Sequence, residues 1–358
     1  DVTELIRTDG KSGIQRVVKS LLLAFMSDPP EGLDVSAIYF DGQQFRHARE
    51  YVQGLVGAPD GKNELVDWRS GDLYLSLDLN IRSMPDSEPL MRDLARQGVR
   101  LCFVVFDLLP LVRPDWWPTG MSARFEVWLR RLLGVADTVC CISQSVAKEL
   151  EAWMNGAALS FQYRRPAVHW FHLGADLERS APSTGWPEAY ATVTAAMDAR
   201  PTFLMVGTLE PRKGHAQALN AFETLWADGH ALNLVIVGKS GWLVDDLIER
   251  IRSHPENGGR LFWLSNASDE CLEDLYGRAT CLLAASEAEG FGLPLIESAR
   301  RGLPILARDL PVFREVAGSA AYYFADNSDA GLSGSIAQWL GLHEEGKAPT
   351  PDALAWLT

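Results

Sequence analysis

The sequence predicts an α/β protein of two domains, each a parallel sheet covered by helices. Three observations predict it. The chain has 358 residues, more than one core usually organises. Strand and helix patterns alternate in two separate series, as parallel sheets require. Between the series, residues 174–200 carry Pro182, Ser183, Thr184, Gly185 and Pro187 and lack a clear period. The domains are placed at residues 1–178 and 199–358, with a linker at about 179–198. Two such sheets joined by one linker suggest a central cleft that both face.

In the first series, Ile14, Val17, Val18, Leu21, Leu22 and Phe25 stand at helical spacing. Val35–Phe40 and Leu73–Leu77 read as strands, and Leu90–Gln97 as a helix stopped by Gly98. Val99–Phe106 is a continuous apolar run, typical of a strand buried on both faces. A helix over Phe125–Leu133 and a strand over Thr138–Ile142 follow. Ser143 can cap a helix running to about Trp153, and Val168–Leu173 reads as a strand. The second series has strands at Thr202–Val206, Leu232–Val237, Leu261–Leu264, Thr280–Ala284 and Pro304–Ala307. Helices at His215–Ala227, Leu243–Ser253, Glu270–Arg278 and Leu295–Arg301 separate them. Asp1-Val2-Thr3 reads as the end of a strand and no returning helix closes the chain, so a longer parent protein is expected.

Composition narrows the function. Hydrophobic residues make up 47% and charged residues 22%, as in a globular protein. No run approaches the ~20 apolar residues that span a bilayer. The net charge of −14 argues against a nucleic-acid partner, which needs a basic footprint. From residue 181 onward there are 13 basic and 23 acidic side chains, so a phosphate site there must be built locally. The odd number of cysteines, five, with no CxxC spacing, reads as reduced, buried thiols of a cytoplasmic protein without a metal site.

Two segments carry chemistry. In Glu289-Gly290-Phe291-Gly292-Leu293-Pro294-Leu295-Ile296-Glu297, two carboxylates flank a glycine-rich strand-to-helix loop. Glycines let backbone amides approach a ligand, and the N-terminus of the following helix favours an anion. Glu297, in that helix's first turn, can accept hydrogen bonds from sugar hydroxyls. In Gly207-Thr208-Leu209-Glu210-Pro211-Arg212-Lys213-Gly214, a second strand-to-helix loop presents two adjacent cations. Arg can hold phosphate oxygens bidentately and Lys acts as a point charge. Gly10-Lys11-Ser12 and Gly238-Lys239-Ser240 imitate a P-loop but lack its first glycine, since Leu5 and Asn233 stand there. No GxGxxG follows the first strand, against a dinucleotide enzyme.

These segments resemble the donor-site signatures of glycosyltransferase family four, the retaining family with the GT-B fold. Glu289 and Glu297 match its Glu-x7-Glu mark, and Val206–Gly214 its G-x-x-x-x-K-G loop. Ser12–Val17, Phe171–Asp176 and Leu234–Gly241, which contains Lys239, resemble the subgroup that builds bacterial O-antigen and capsule. The resemblance implies that Arg212 and Lys213 hold the donor diphosphate and Glu289 the transferred sugar. Glu297 would bind the ribose. Phe291, Gly292, Leu293, Gly207 and Lys239 would complete the donor site, and Gly13 would let the N-terminal domain approach the donor. It further implies retention by front-face attack, with no metal and no cofactor. The implied partners are a nucleotide-sugar donor and a glycan acceptor; the subgroup suggests GDP-mannose and a lipid-linked acceptor at the inner face of the cytoplasmic membrane. UDP-, dTDP- and GDP-rhamnose donors stay open.

The chain departs from the family at Phe106, where many relatives carry His before the Asp. Asp107 is a candidate acceptor-side base, or else a loop cap. His172 is a candidate for the space left by that histidine, or else a structural histidine. Trp116 and Trp117 stack on acceptor sugars, touch a membrane interface, or pack on their own core. Phe106 also leaves open a catalytically silent sugar-binding or scaffold domain. A pyridoxal-dependent phosphorylase lacks a convincing cofactor lysine.

Overall fold

A computed structural model describes residues 1–8, 13–57, 61–159, 161, 164–174 and 183–351. The chain divides into two compact units. The first is Asp1–Pro114 with Thr119–Ser180; the second is Asp115–Pro118 with Ala181–Thr358.

In the first unit, β1 (Ile38–Phe40) and β2 (Phe45–His47) form an antiparallel pair. Then β3 (Leu73–Ser76), β4 (Arg100–Val105), β5 (Thr138–Cys141) and β6 (Ala167–Trp170) form a parallel sheet in sequential order. The β4 run is buried over its last five residues, as its unbroken apolar sequence requires. Phe103, Val105, Trp128, Leu129 and Leu132 belong to its core. Ser143 caps the helix Gln144–Gly156 by accepting from the Val146 N–H, as its position predicts.

In the second unit, six parallel strands run in the order β12-β11-β10-β7-β8-β9. They are β7 (Thr202–Val206), β8 (Asn233–Val237), β9 (Leu261–Leu264), β10 (Cys281–Ala284), β11 (Ile305–Arg308) and β12 (Ala321–Phe324). Chain order grows outward from β7 on one side and from β10 on the other. The order therefore reverses between β7 and β10, which are neighbours. Doubly wound sheets bind ligands at such a reversal, beyond the carboxyl ends of the strands. Phe203, Phe222, Leu283, Leu306 and Trp339 fill the core on the helix-covered sheet.

Several expectations are corrected. The helix read at Leu90–Gln97 starts at Met84, because Pro85 is compatible with a helix's first positions. The strand pair through β2, β12 and the helices Arg49–Val56, Pro311–Ala317 and Asp329–Glu344 escaped the periodicity reading. Most of the expected linker is not a linker. Residues 175–182 lie outside the described residues, but a helix over Tyr190–Ala199 packs into the second unit. Ser183 donates its N–H and hydroxyl to Asp269 at 2.8 and 2.7 Å, and the Tyr190 hydroxyl donates to Asp274 at 2.8 Å. Asp1 and Val2 do pair strand-fashion between β1 and β3, through Val2 N–H to Ile38 O and Leu77 N–H to Asp1 O, but Thr3 already opens a helix to Arg7. Cys102, Cys141, Cys271 and Cys281 are buried free thiols; Cys140 is half-buried, its sulfur 3.8 Å from that of Cys102. Among the described residues, no helix is long and apolar enough to cross a membrane.

Candidate functional site

The two motif loops leave the two strands at which the sheet order reverses. Residues 207–214 follow β7, and residues 285–292 follow β10. They are tied backbone to backbone by the Glu287 N–H, which donates to Arg212 O at 2.7 Å. Gly214, with φ of +70°, lets the loops meet. A Cβ there would stand 2.3 Å from the Ala285 carbonyl oxygen, so no other residue fits without moving one loop.

This approach brings Arg212, Lys213 and Glu289 together. Arg212 Nη1 donates to Glu289 Oε2 at 2.8 Å and to the Ala288 carbonyl at 3.3 Å, while its Nε donates to Glu210 Oε2 at 2.9 Å. Lys213 Nζ and Ser286 Oγ both donate to Glu289 Oε1, at 2.5 and 2.8 Å. The side chains of Arg212, Lys213 and Glu289 are 16%, 13% and 10% exposed, so two cations and two carboxylates share a nearly dry site. Burial by itself would raise the Glu289 pKa. The charges of Arg212 and Lys213 overcome it and hold the carboxyl down at about 2. The cluster is thus an ionised set able to exchange one carboxylate for another anion.

Glu297 does not join this set. The helix begins at Leu293, two residues earlier than expected, so Glu297 lies in its second turn. Its buried carboxylate accepts from the Tyr276 hydroxyl at 2.7 Å. Gly292 caps that helix with φ of +101°, and a Cβ would meet the Phe313 ring at 2.8 Å, so packing within the protein already demands glycine. Phe291 is buried. Lys213, His215, Ser286, Glu289 and Gly292 line a cavity of about 20 Å³, room for one water. His215 was not anticipated. It is 2% exposed, its Nδ1 has no hydrogen-bond partner among the described residues, and burial followed by Lys213 and Arg212 pushes its pKa down to about 3. Its ring is therefore neutral. Ser286, Tyr276 and Arg308 were also missed. An Arg ending the apolar run Pro304–Ala307 was the one available signal among them.

Residues 189–352 match the family model of glycosyl transferases group 1. The second unit is a group 1 glycosyl transferase domain. The whole chain is 42% identical, over 363 aligned residues, to the serotype-specific mannosyltransferase WbdA of Escherichia coli; the match takes in 100% of this chain and 44% of that relative. The chain therefore spans under half the length of the curated relatives it matches over its full extent. O-antigen chain mannosyltransferase B of E. coli is 31% identical over 138 residues, 38% of this chain and 36% of the relative. Among solved structures, Anabaena Alr3699/HepE in complex with UDP-glucose superposes with a TM-score of 0.59 at 16% identity, covering 79% of this chain and 72% of that one. Sucrose-phosphate synthase from Thermosynechococcus elongatus superposes with a TM-score of 0.53 at 18% identity, covering 73% and 64%. At these identities the likeness is one of fold, and that fold is GT-B.

The remaining candidates fall outside the ion cluster. In the glycosyl transferase domain, Gly207 packs under the Lys213 side chain. Lys239 is exposed after β8, its carbonyl accepting from the Leu209 N–H. Of the readings left open for Trp116 and Trp117, the structure shows packing within the protein. Trp116 is buried, and Trp117 stacks on Trp242 at 4.9 Å, whose Nε1 donates to the Trp116 carbonyl at 2.8 Å. Large apolar rings in a Pro-bounded loop found protein partners first, and Asp115–Pro118 joins the domain through them. The other three candidates belong to the first unit. Asp107 accepts from the Leu109 N–H at 3.1 Å, at the start of the short helix Leu109–Val112, whose N-cap is Leu108; it follows the buried Phe106. The His172 ring lies 5.0 Å from that of Trp170. Among the described residues, a Cβ on Gly13, the first residue of the helix Gly13–Ser27, would meet nothing within 4 Å.

Proposed function

We propose that the chain is a retaining mannosyltransferase that moves mannose from GDP-mannose onto a lipid-linked bacterial surface polysaccharide. The observation that carries the reading is the Arg212–Lys213–Glu289 cluster at the sheet reversal. Two cations, 16% and 13% exposed and held by a carboxylate, form a ready site for a diphosphate. The names of the relatives that match the full chain support mannose as the sugar.

In this reading, the bond between the sugar's anomeric carbon and the diphosphate breaks, and a bond to an acceptor hydroxyl forms on the same face. The hydroxyl proton passes to the departing phosphate oxygen. Arg212 and Lys213 stabilise the charge that develops on the diphosphate, so no metal is required. Glu289, released in part from the cations, accepts hydroxyls of the transferred sugar. Glu297 holds the ribose, Gly292 and Leu293 offer backbone amides, and Gly13 also contributes to donor binding. The acceptor is presented at the cytoplasmic face of a membrane, which the enzyme contacts peripherally.

The test is a calorimetric comparison of GDP, UDP and dTDP, followed by transfer assays with GDP-mannose and a mannose-terminated acceptor. Preference for GDP and transfer with retained configuration are expected. Preference for UDP or dTDP rejects the mannosyl donor, and absence of any nucleotide binding rejects the transferase reading.

A further inference from the structure

Arg308 is the last residue of β11, next to β10 in the sheet, and it is 4% exposed. A buried guanidinium is costly unless its donors are satisfied. Here Nε donates to the Ala285 and Ser286 carbonyls at 3.2 and 3.1 Å, and Nη2 to the Ala285 carbonyl at 3.0 Å. Nη1 donates to Asn327 Oδ1 at 2.5 Å, and Nη2 also donates to Gln217 Oε1. The acceptors come from three elements: the loop after β10, the helix that follows the basic loop, and the loop after β12. All of these hydrogen-bond acceptors are neutral oxygens, while the Glu287 carboxylate of the same loop acts on the guanidinium through its charge. The face of the guanidinium lies 5.0 Å over the Phe324 ring.

What Arg308 holds bears directly on the cluster. The Ala285 carbonyl is the atom against which Gly214 packs, and Ser286 sends its own hydroxyl to Glu289 Oε1. Fixing the two carbonyls fixes the start of the loop that carries Glu289. A planar fork suits this, because adjacent carbonyls can be gripped together; a lysine's point charge grips one.

We propose that Arg308 is a positioning residue of the transfer reaction, holding the Ala285–Ser286 backbone so that Glu289 stands against Arg212 and Lys213. The inference rests on the transferase reading above. It assigns Arg308 no contact with the donor; it acts through Glu289.

The experiment uses the full chain with GDP-mannose as donor, comparing Arg308→Lys and Arg308→Gln with the native protein. Misplacing a group aimed at the transferred sugar is expected to lower kcat about tenfold or more, while the Kd for GDP changes by less than about threefold. Arg308→Lys should retain more activity than Arg308→Gln. In the Glu289→Gln background, Arg308→Lys should lower kcat little further, since both changes act on one carboxylate. A purely structural role lowers the unfolding midpoint but leaves kcat of the folded protein intact; an effect on kcat that is independent of Glu289 makes the two losses multiply. Either outcome overturns the proposal. Should Arg308→Gln not fold, Arg308→Lys and Ser286→Ala decide, the latter removing the hydroxyl link to Glu289 alone. A native chain that binds no nucleoside diphosphate fails the transferase reading, and this inference with it; native transfer with an unaltered Arg308→Lys fails the inference alone.

Discussion

Lys213 Nζ donates to Glu289 Oε1 across 76 residues of sequence, and both side chains are nearly buried. Removing the carboxylate leaves two buried cations without it. Breaking a buried pair by deleting one partner typically costs about 3–5 kcal/mol. Glu289→Ala should therefore lower stability as well as transfer. Glu289→Gln keeps the shape and a hydrogen-bonding oxygen, so it should fold better and still lose turnover, with GDP affinity far less affected. Parallel urea unfolding, calorimetry and transfer assays measure this. Full turnover in the glutamine variant would show that Glu289 has no role with the sugar.

Arg212→Ala and Lys213→Ala should weaken binding of the nucleoside diphosphate as well as transfer. A charge-assisted contact contributes about 1.5–3 kcal/mol, or roughly tenfold to 150-fold in Kd. Calorimetry with GDP decides it. Unchanged affinity in both variants removes the diphosphate from this loop.

Stability should fall on the acid side in a window set by His215. Unfolded, the residue takes a proton near pH 6.5; folded, only near pH 3. Between these values the unfolded state binds the extra proton, so acidification favours unfolding. From pH 6.5 to 5 the loss is on the order of 2 kcal/mol. Glu289 acts lower down: its depressed pKa contributes stability that is present above pH 4.5 and lost as the pH falls through about 2. His215→Asn should flatten the upper window alone. Urea midpoints at pH 6.5 and 5 check this; equal losses in variant and native protein would assign the window to other groups.

Two glycines should behave oppositely. Gly214→Ala forces a Cβ to 2.3 Å from a backbone oxygen at φ of +70°, and a loss of about 2 kcal/mol or more is expected. Gly13→Ala meets nothing within 4 Å among the described residues, so stability should change by less than about 0.5 kcal/mol. If Gly13 admits the donor closely, that same variant should lose donor affinity. Normal transfer by a normally stable Gly13→Ala protein would end its assignment.

On the proposed mechanism, in which Arg212 and Lys213 stabilise the diphosphate charge, transfer from GDP-mannose should persist in EDTA. Complete loss of activity, restored by magnesium or manganese, would overturn the metal-free mechanism.

The sequence by itself determined most of the strands and brought out the candidate residues of the site. Alternation of apolar strand runs with helical spacing located β4, β7, β8, β9 and β10 to within a residue or two, because strands buried on both faces are uniformly apolar. Arg212, Lys213 and Glu289 stood out because charge and glycine cluster in loops between such strands. Other elements escaped because glycines obscured the signal. The helix Asp329–Glu344 buries Leu332, Ile336 and Trp339 at helical spacing, but Gly331, Gly334 and Gly341 interrupt its sequence. Only the tertiary structure decided that β7 lies beside β10, which is what joins a cation pair to a carboxylate more than seventy residues away. It also decided that Glu297 turns to Tyr276, that Trp117 stacks on Trp242 and that Arg308 grips Ala285 and Ser286. The physical reason is the same in each case. Periodicity reports which face of an element is buried, whereas a hydrogen bond or a stacked ring depends on strand order and on which loop comes to lie opposite.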